Sequence, residues 1–270
     1  MNLIGVDKDK VSRAGWRDLL TFDQYSFFYA ASPHVLNKET EEWIVGGLIK
    51  AMPDLKLAEY FQIKKNWFSE YDYLIAAVEN NSNELIGMLT SHWHEKDGVP
   101  FFLQISMQMI TPRYQKTQLL KHMWGYHFRK VREGHFGFPS VIALRTYNPV
   151  VFSAMRIFSR LEGIRMYPRL WAEEQDPEMV ALAQNITERI CPGLDMCSRT
   201  GVIKDASVPP DFYPSLPKSS KGEVYNYFAE HLSPSDRLLC VLHISTEEGK
   251  RKILKSFGSL SENRVDAMSL

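Results

Sequence analysis

Phe101-Phe102-Leu103-Gln104-Ile105-Ser106-Met107-Gln108-Met109-Ile110, followed by Thr111-Pro112-Arg113-Tyr114-Gln115-Lys116, decides how the rest of this 270-residue chain is read. The first ten residues are mostly large and apolar with no breaker among them, which predicts a strand. Gln104, Ser106 and Gln108 stand two apart and are expected on one face of it. After the polar loop the period changes. Leu119, Leu120, Met123, Trp124, Phe128 and Val131 form one helical stripe, so the chain leaves the sheet and crosses it. Ser140-Val141-Ile142-Ala143-Leu144 has the unbroken apolar character of a strand buried on both faces, parallel to its predecessor through a right-handed crossover. Asn148-Pro149 then opens a second helix, because an Asn side chain accepts from free backbone amides and proline has no amide to leave unpaired.

Upstream, residues 71–79 and 85–95 are β-rich runs separated by the turn residues Asn80-Asn81-Ser82-Asn83-Glu84, which predicts a hairpin feeding the long strand. Residues 10–62 carry Trp16, Leu19, Leu20, Trp43, Ile44, Leu48 and Met52 at three- and four-residue spacings, read as helices broken near Ser32-Pro33 and Met52-Pro53. Downstream, residues 167–173 are expected as a short strand, 177–190 as a helix and 191–222 as a long proline-rich loop. A helix (224–232), a strand (237–244) and a helix (246–257) follow, and 259–270 are expected to be a disordered tail.

Composition narrows the function classes. The formal net charge is zero, so bulk attraction to nucleic acid or anionic lipid is not expected. No stretch approaches the roughly 20 apolar residues of a membrane span. Three cysteines, Cys191, Cys197 and Cys240, without CxxC spacing argue against a disulfide framework or zinc knuckle and for a reducing, cytoplasmic setting. The opening residues, a short apolar run followed by charges, reverse the order of a secretory signal.

From about Tyr71 to Tyr167 the order of hairpin, long strand, polar loop, helix, strand and Asn-led helix resembles the core of the GCN5-related N-acetyltransferase (GNAT) family. The resemblance implies an α/β fold: a GNAT-like mixed, mostly antiparallel sheet flanked by helices, with a helical N-terminal extension and an α/β C-terminal one. The implied division is 1–175 for the acyltransferase core and its enlarged N-terminus, and 176–258 for the extension. In that family the loop after the long strand binds the pyrophosphate of coenzyme A through backbone amides and a helix N-terminus, which offers unpaired N–H groups and a positive dipole end. Carried onto this chain, the cofactor-binding residues are Ile110, Arg113, Gln115, Lys116, Thr117, Gln118 and Asn148. Gln115 matches the first motif position, whereas Gln118 and Leu120 stand where glycines would let the backbone approach phosphate. Met155 stands where many members carry a tyrosine that protonates the departing thiolate, and a thioether has no proton to give.

The catalytic candidates are therefore others. His92, which shares a strand face with His94, is the best proton acceptor in the core, and Ser106 faces the same region. Tyr147, at the end of the buried strand, is the candidate proton donor. The His92–His94 pair has metal-compatible spacing but no third ligand nearby, so no metal is expected. The implied activity is transfer of an acyl group from a coenzyme A or acyl-carrier-protein thioester to the amine of a small molecule. A second reading is a long-chain N-acyl amino acid or acyl-homoserine-lactone synthase, with Phe22, Tyr25, Phe27, Phe28 and Tyr29 lining an acyl pocket or simply packing the core. A third is a catalytically silent binding module.

Overall fold

A computed structural model describes residues 16, 18–33, 36–65 and 67–258. Strands β1 (Asp18–Thr21), β2 (Tyr25–Ala31), β3 (Tyr73–Glu79), β4 (Leu85–Lys96) and β5 (Val99–Ile110) run antiparallel, each beside the next. Helices α1 (Lys38–Ala51) and α2 (Leu57–Ile63) intervene between β2 and β3. Helix α3 (Leu119–Glu133) carries the chain from β5 to β6 (Val141–Thr146), and these two strands are parallel. Then come α4 (Pro149–Phe158), β7 (Ile164–Tyr167), α5 (Pro177–Ile190), the two-residue β8 (Val202–Ile203), α6 (Gly222–His231), β9 (Arg237–Ile244) and α7 (Glu247–Ser256). Spatial order among the described strands is β1-β2-β3-β4-β5-β6-β9-β7, with β8 also on β9. The result is the expected mixed, mostly antiparallel sheet between helices.

The crossover from β5 to β6, the capped α4 and the strand at β9 all appear where the residue pattern put them. Asn148 Oδ1 accepts from the Val150 amide at 2.9 Å, and its own N–H donates to Thr146 Oγ1 at 2.8 Å. One face of the sheet packs against α3, α4, α6 and α7 through Met123, Trp124, Phe128, Phe152, Phe228 and Phe257. On the other face α1 and α2 cover the β2–β4 end and α5 covers the β6–β9 end.

Three expectations need correction. The segment before Pro33 is not helical where it is described: β1 and β2 are strands, and residues 10–15 lie outside the described residues. Phe27 and Phe28 are both buried, on opposite faces, so β2, with Ser26 also buried, presents no period-two alternation of apolar and polar residues. The short strand expected at 167–173 lies instead at Ile164–Tyr167, where it pairs with β9. Gln104, Ser106 and Gln108 do not share a face. The β4–β5 register shifts where Thr90 pairs with Met107 but Ser91 with Ile105, leaving Ser106 as a bulge that inverts the alternation after it. Gln104 therefore accepts from His94 Nε2 at 2.8 Å on one face, while Gln108 accepts from Trp124 Nε1 at 2.6 Å on the other.

The strand assignment of β2 has a thermodynamic consequence. Phe27 is fully buried in an interior strand, so Phe27→Ala is expected to cost about 3–5 kcal/mol in urea unfolding; a loss below about 1 kcal/mol would contradict this packing.

Candidate functional site

The strands β5 and β6 pair only from Leu103↔Ile142 to Ile105↔Leu144, and beyond that point they part. The gap is the mouth of a cavity of about 200 Å³. Its walls come from β5 (Gln104 to Met109), the end of β6 with Tyr147, a segment of the C-terminal extension (Ala206 to Val208 with Phe212 and Tyr213), and single residues of α2, α4 and β9 (Tyr60, Val151 and Arg237). That extension segment is fixed from both sides. The Lys56 amide donates to Phe212 O at 3.2 Å and the Phe212 ring meets Tyr60 of α2 edge-on, while the Arg237 guanidinium at the start of β9 donates to Ser207 Oγ.

His92 and His94 lie on one face of β4 with ring centroids 4.4 Å apart, half-buried. Ser106 Oγ is 3.2 Å from His92 Nδ1, and Ser106 also lines the cavity, so the bulge joins the imidazole to the cavity wall. Burial, then the neighbouring His94, push the His92 pKa down to about 4. The ring is thus neutral near pH 7 and free to accept a proton, though weakly basic. Among the described residues no group of three or more His, Cys, Asp or Glu side chains is placed to hold a metal.

Tyr147 is buried, lines the cavity and has its ring centroid 5.7 Å from that of Tyr213. Burial raises its pKa, which keeps the phenol protonated. Met155 lies fully buried in the core under the sheet. Of the three catalytic candidates, Ser106 and Tyr147 share the cavity wall and His92 stands behind Ser106.

The loop after β5 is ordered by its own hydrogen bonds. Tyr114 to Thr117 forms a type II turn: the Thr117 amide donates to Tyr114 O at 3.3 Å, with Gln115 at φ −63°, ψ 145° and Lys116 at φ 67°. The left-handed residue is therefore Lys116. Gln118 is right-handed at φ −76°, ψ −5°, and Leu120 is helical, so neither backbone conformation demands glycine. Thr117 Oγ1 accepts from the Leu119 amide at 3.2 Å at the start of α3, whose N-cap residue Gln118 makes no side-chain cap. Gln115 Nε2 donates to Ile110 O at 3.4 Å, and Ile110 is half-buried against the core. Arg113 is taken up by Glu79 at 3.0 Å and Glu84 at 3.2 Å. Hydrogen bonds from Ser82 and Tyr114, with Arg113 beside them, hold the Glu79 carboxyl below its ordinary pKa.

The aromatic residues proposed for an acyl pocket sit on or beside β2, three strands from the opening, and pack the core; this is the simpler of their two readings. Cys191 and Cys197 are free thiols, and Cys191 Sγ accepts from Arg145 Nη1 at 2.8 Å. Sequence reasoning missed Arg237. Nothing in Asp236-Arg237-Leu238 marks the arginine as buried, and only the antiparallel pairing of β9 with β6 brings it to the cavity.

No protein-family model matches the chain, and no curated protein matches it. Solved structures are similar to it. They include a GCN5-related N-acetyltransferase from Brucella melitensis (TM-score 0.38, 11% identity, 56% of this chain and 69% of that one). Another is an acetyltransferase of the GNAT family from Staphylococcus aureus (TM-score 0.34, 15% identity, 56% and 92%). A third is a chain of the NatC complex bound to Gag peptide and CoA (TM-score 0.37, 16% identity, 55% and 90%). Each likeness is one of fold, at identities that carry no residue role across.

Two outcomes follow from the geometry. Folded His92 refuses a proton until about pH 4, whereas the unfolded chain takes one up near 6.5. Its contribution to stability is complete above pH 6.5 and is lost as pH falls through that window, by about 2 kcal/mol between about pH 7 and pH 5. Urea midpoints across that range should fall, and His92→Gln should flatten the fall. Lys116→Gly relieves the left-handed strain and is expected to raise stability by up to about 1 kcal/mol, read as a higher thermal midpoint.

Proposed function

We propose that this protein is an acyltransferase that moves an acyl group from a coenzyme A thioester to the amine of a small molecule in the opening between β5 and β6. The observation that carries the reading is the parting of two parallel strands beyond Ile105 and Leu144, at the same strand end from which the 111–118 loop leads into α3. A thioester laid in such a gap meets backbone groups that have lost their strand partner, and N–H groups among them hold the carbonyl oxygen as it gains charge. The phosphates lie toward the start of α3, where the helix dipole and the loop from Gln115 to Gln118, with Lys116, favour an anion. Asn148 orders the start of α4 on the other side of the gap.

In the chemical step the acceptor nitrogen forms its bond to the acyl carbon as the carbon–sulfur bond breaks. The nitrogen sheds a proton through Ser106 Oγ to His92, which is neutral near pH 7, and the departing thiolate takes a proton from Tyr147. Positioning supplies most of the rate, since an imidazole of such low basicity is a modest base. A cavity of about 200 Å³ suits a short acyl group and a small acceptor better than a long carrier-borne chain. The open cavity also favours ligand binding over a silent module, in which side chains would fill the gap.

Thermal-shift measurements with coenzyme A and acyl-CoAs of increasing chain length test the reading. Short-chain thioesters should raise the melting temperature with the logarithm of their concentration, and thiol release should need an amine. Ser106→Ala and His92→Gln should lower turnover by about 10²-fold while leaving that shift in place. Absence of any shift with coenzyme A thioesters would sink the proposal.

A further inference from the structure

The cavity holds positive charge that aromatic faces meet only in part: the Arg237 guanidinium lies 5.8 Å from the Tyr147 ring centroid and 5.7 Å from that of Tyr213. Among the described residues that line it there is no Asp or Glu, yet Arg145 and Arg237 are both there. Arg237 is only 9% exposed. Its guanidinium donates to Pro234 O at 2.9 Å, to Asp236 O at 2.6 Å and to Ser207 Oγ, all neutral acceptors, which occupy three of its five N–H groups. The nearest acid, Asp236, is 1% exposed but already committed. Its carboxylate accepts from Lys204 Nζ at 2.8 Å and from the amides of Ser233 and Asp205 at 2.8 and 3.2 Å. Arg145, half-buried on the neighbouring strand, has a thiol as its hydrogen-bond acceptor, Cys191 Sγ at 2.8 Å.

Two guanidiniums on adjoining strands, one buried and one half-buried, with no carboxylate among the described residues hydrogen-bonded to either, are costly. Burial and the nearby Arg145 charge pull the Arg237 pKa down to about 10, still far above neutrality. The Arg237 side chain therefore stays charged. A bound anion removes the cost, and the planar fork of an arginine fits a carboxylate with two parallel hydrogen bonds.

We infer that the acceptor carries a carboxylate, as an amino acid does, and that Arg145 and Arg237 hold it in this cavity. The Arg237 end is walled by Ser207 and Tyr213 of the extension, whereas Ser106, backed by His92, belongs to β5 across the cavity. A compact amino acid with its carboxylate on the arginines thus directs its amine toward Ser106 and the mouth between the strands. This assignment rests on the proposed acyl transfer for the use made of the amine, but not for the binding of the carboxylate.

Calorimetric titration of the full-length protein separates the two. Amino acids are compared with the matched amines that lack the carboxylate and with an amine bearing a phosphate monoester instead, each with and without coenzyme A. Amino acids should bind at least about tenfold more tightly than either comparison set. Arg145→Gln should remove most of that preference. So should Arg237→Lys, because lysine keeps the charge and loses the fork. Arg237 also anchors the 205–213 segment, so the Arg145 variant, checked for an unchanged thermal midpoint, decides the matter if the Arg237 variant fails to fold. Equal binding of amino acids and plain amines, preference for the phosphate, or an Arg145→Gln protein that binds as the parent does would each overturn the inference. Carboxylate-selective binding without any coenzyme A binding would overturn the acyl-transfer reading and leave this one standing.

Discussion

The candidate site depends on how few backbone pairs join β5 to β6. Three residue pairs, Leu103 to Ile105 with Ile142 to Leu144, hold the parallel strands together, and past them the twelve-residue β5 keeps β4 on one edge and leaves its β6 edge open. An open strand edge in the middle of a sheet is a liability, because the N–H and C=O groups along it still need partners. The chain meets that demand by lining the gap with polar side chains on both strand ends and closing it with a segment from far downstream. A site is thus built where a sheet declines to close.

The C-terminal extension is the element that turns the gap into a chamber. Strand β9 enters the sheet between β6 and β7 and starts with Arg237, and the proline-rich segment before it is drawn over the opening by Arg237, Lys56 and Tyr60. The polarity of the chamber is consequently supplied by two widely separated parts of the chain. Ser106 and Arg145 come from the core strands, and Ser207 and Arg237 from the extension.

How much of this the residues disclosed depended on how local each signal was. The β5–α3–β6 crossover, Asn148 as a cap, α5 and β9 were all readable, because apolar period, proline and capping chemistry act within a few residues. Strands β1 and β2 were not. Tyr25 to Ala30 is buried on both sides, and a run with aromatic residues at both odd and even positions has no two-fold alternation to tell it from a helix. Within the site, His92, Ser106 and Tyr147 were visible as chemistry on a strand or at its end. The inversion of faces at Ser106 was not, since a bulge belongs to a pair of strands and β4 supplies half of it. Nor was the meeting of Arg145 with Arg237, which is a fact of sheet order and not of spacing.

The place of β9 also sets the order in which the molecule can be made. Until Arg237 to Ile244 has been synthesised, β6 has an open edge, β7 has nothing to pair with, and the Arg237 side of the chamber does not exist. A nascent chain therefore carries a half-finished sheet with an exposed strand edge from the completion of β6 until β9 is made, a state prone to pairing with other chains. The chamber closes only at the end, so a ligand cannot template the early sheet; it can act only on a protein whose strands are already in register.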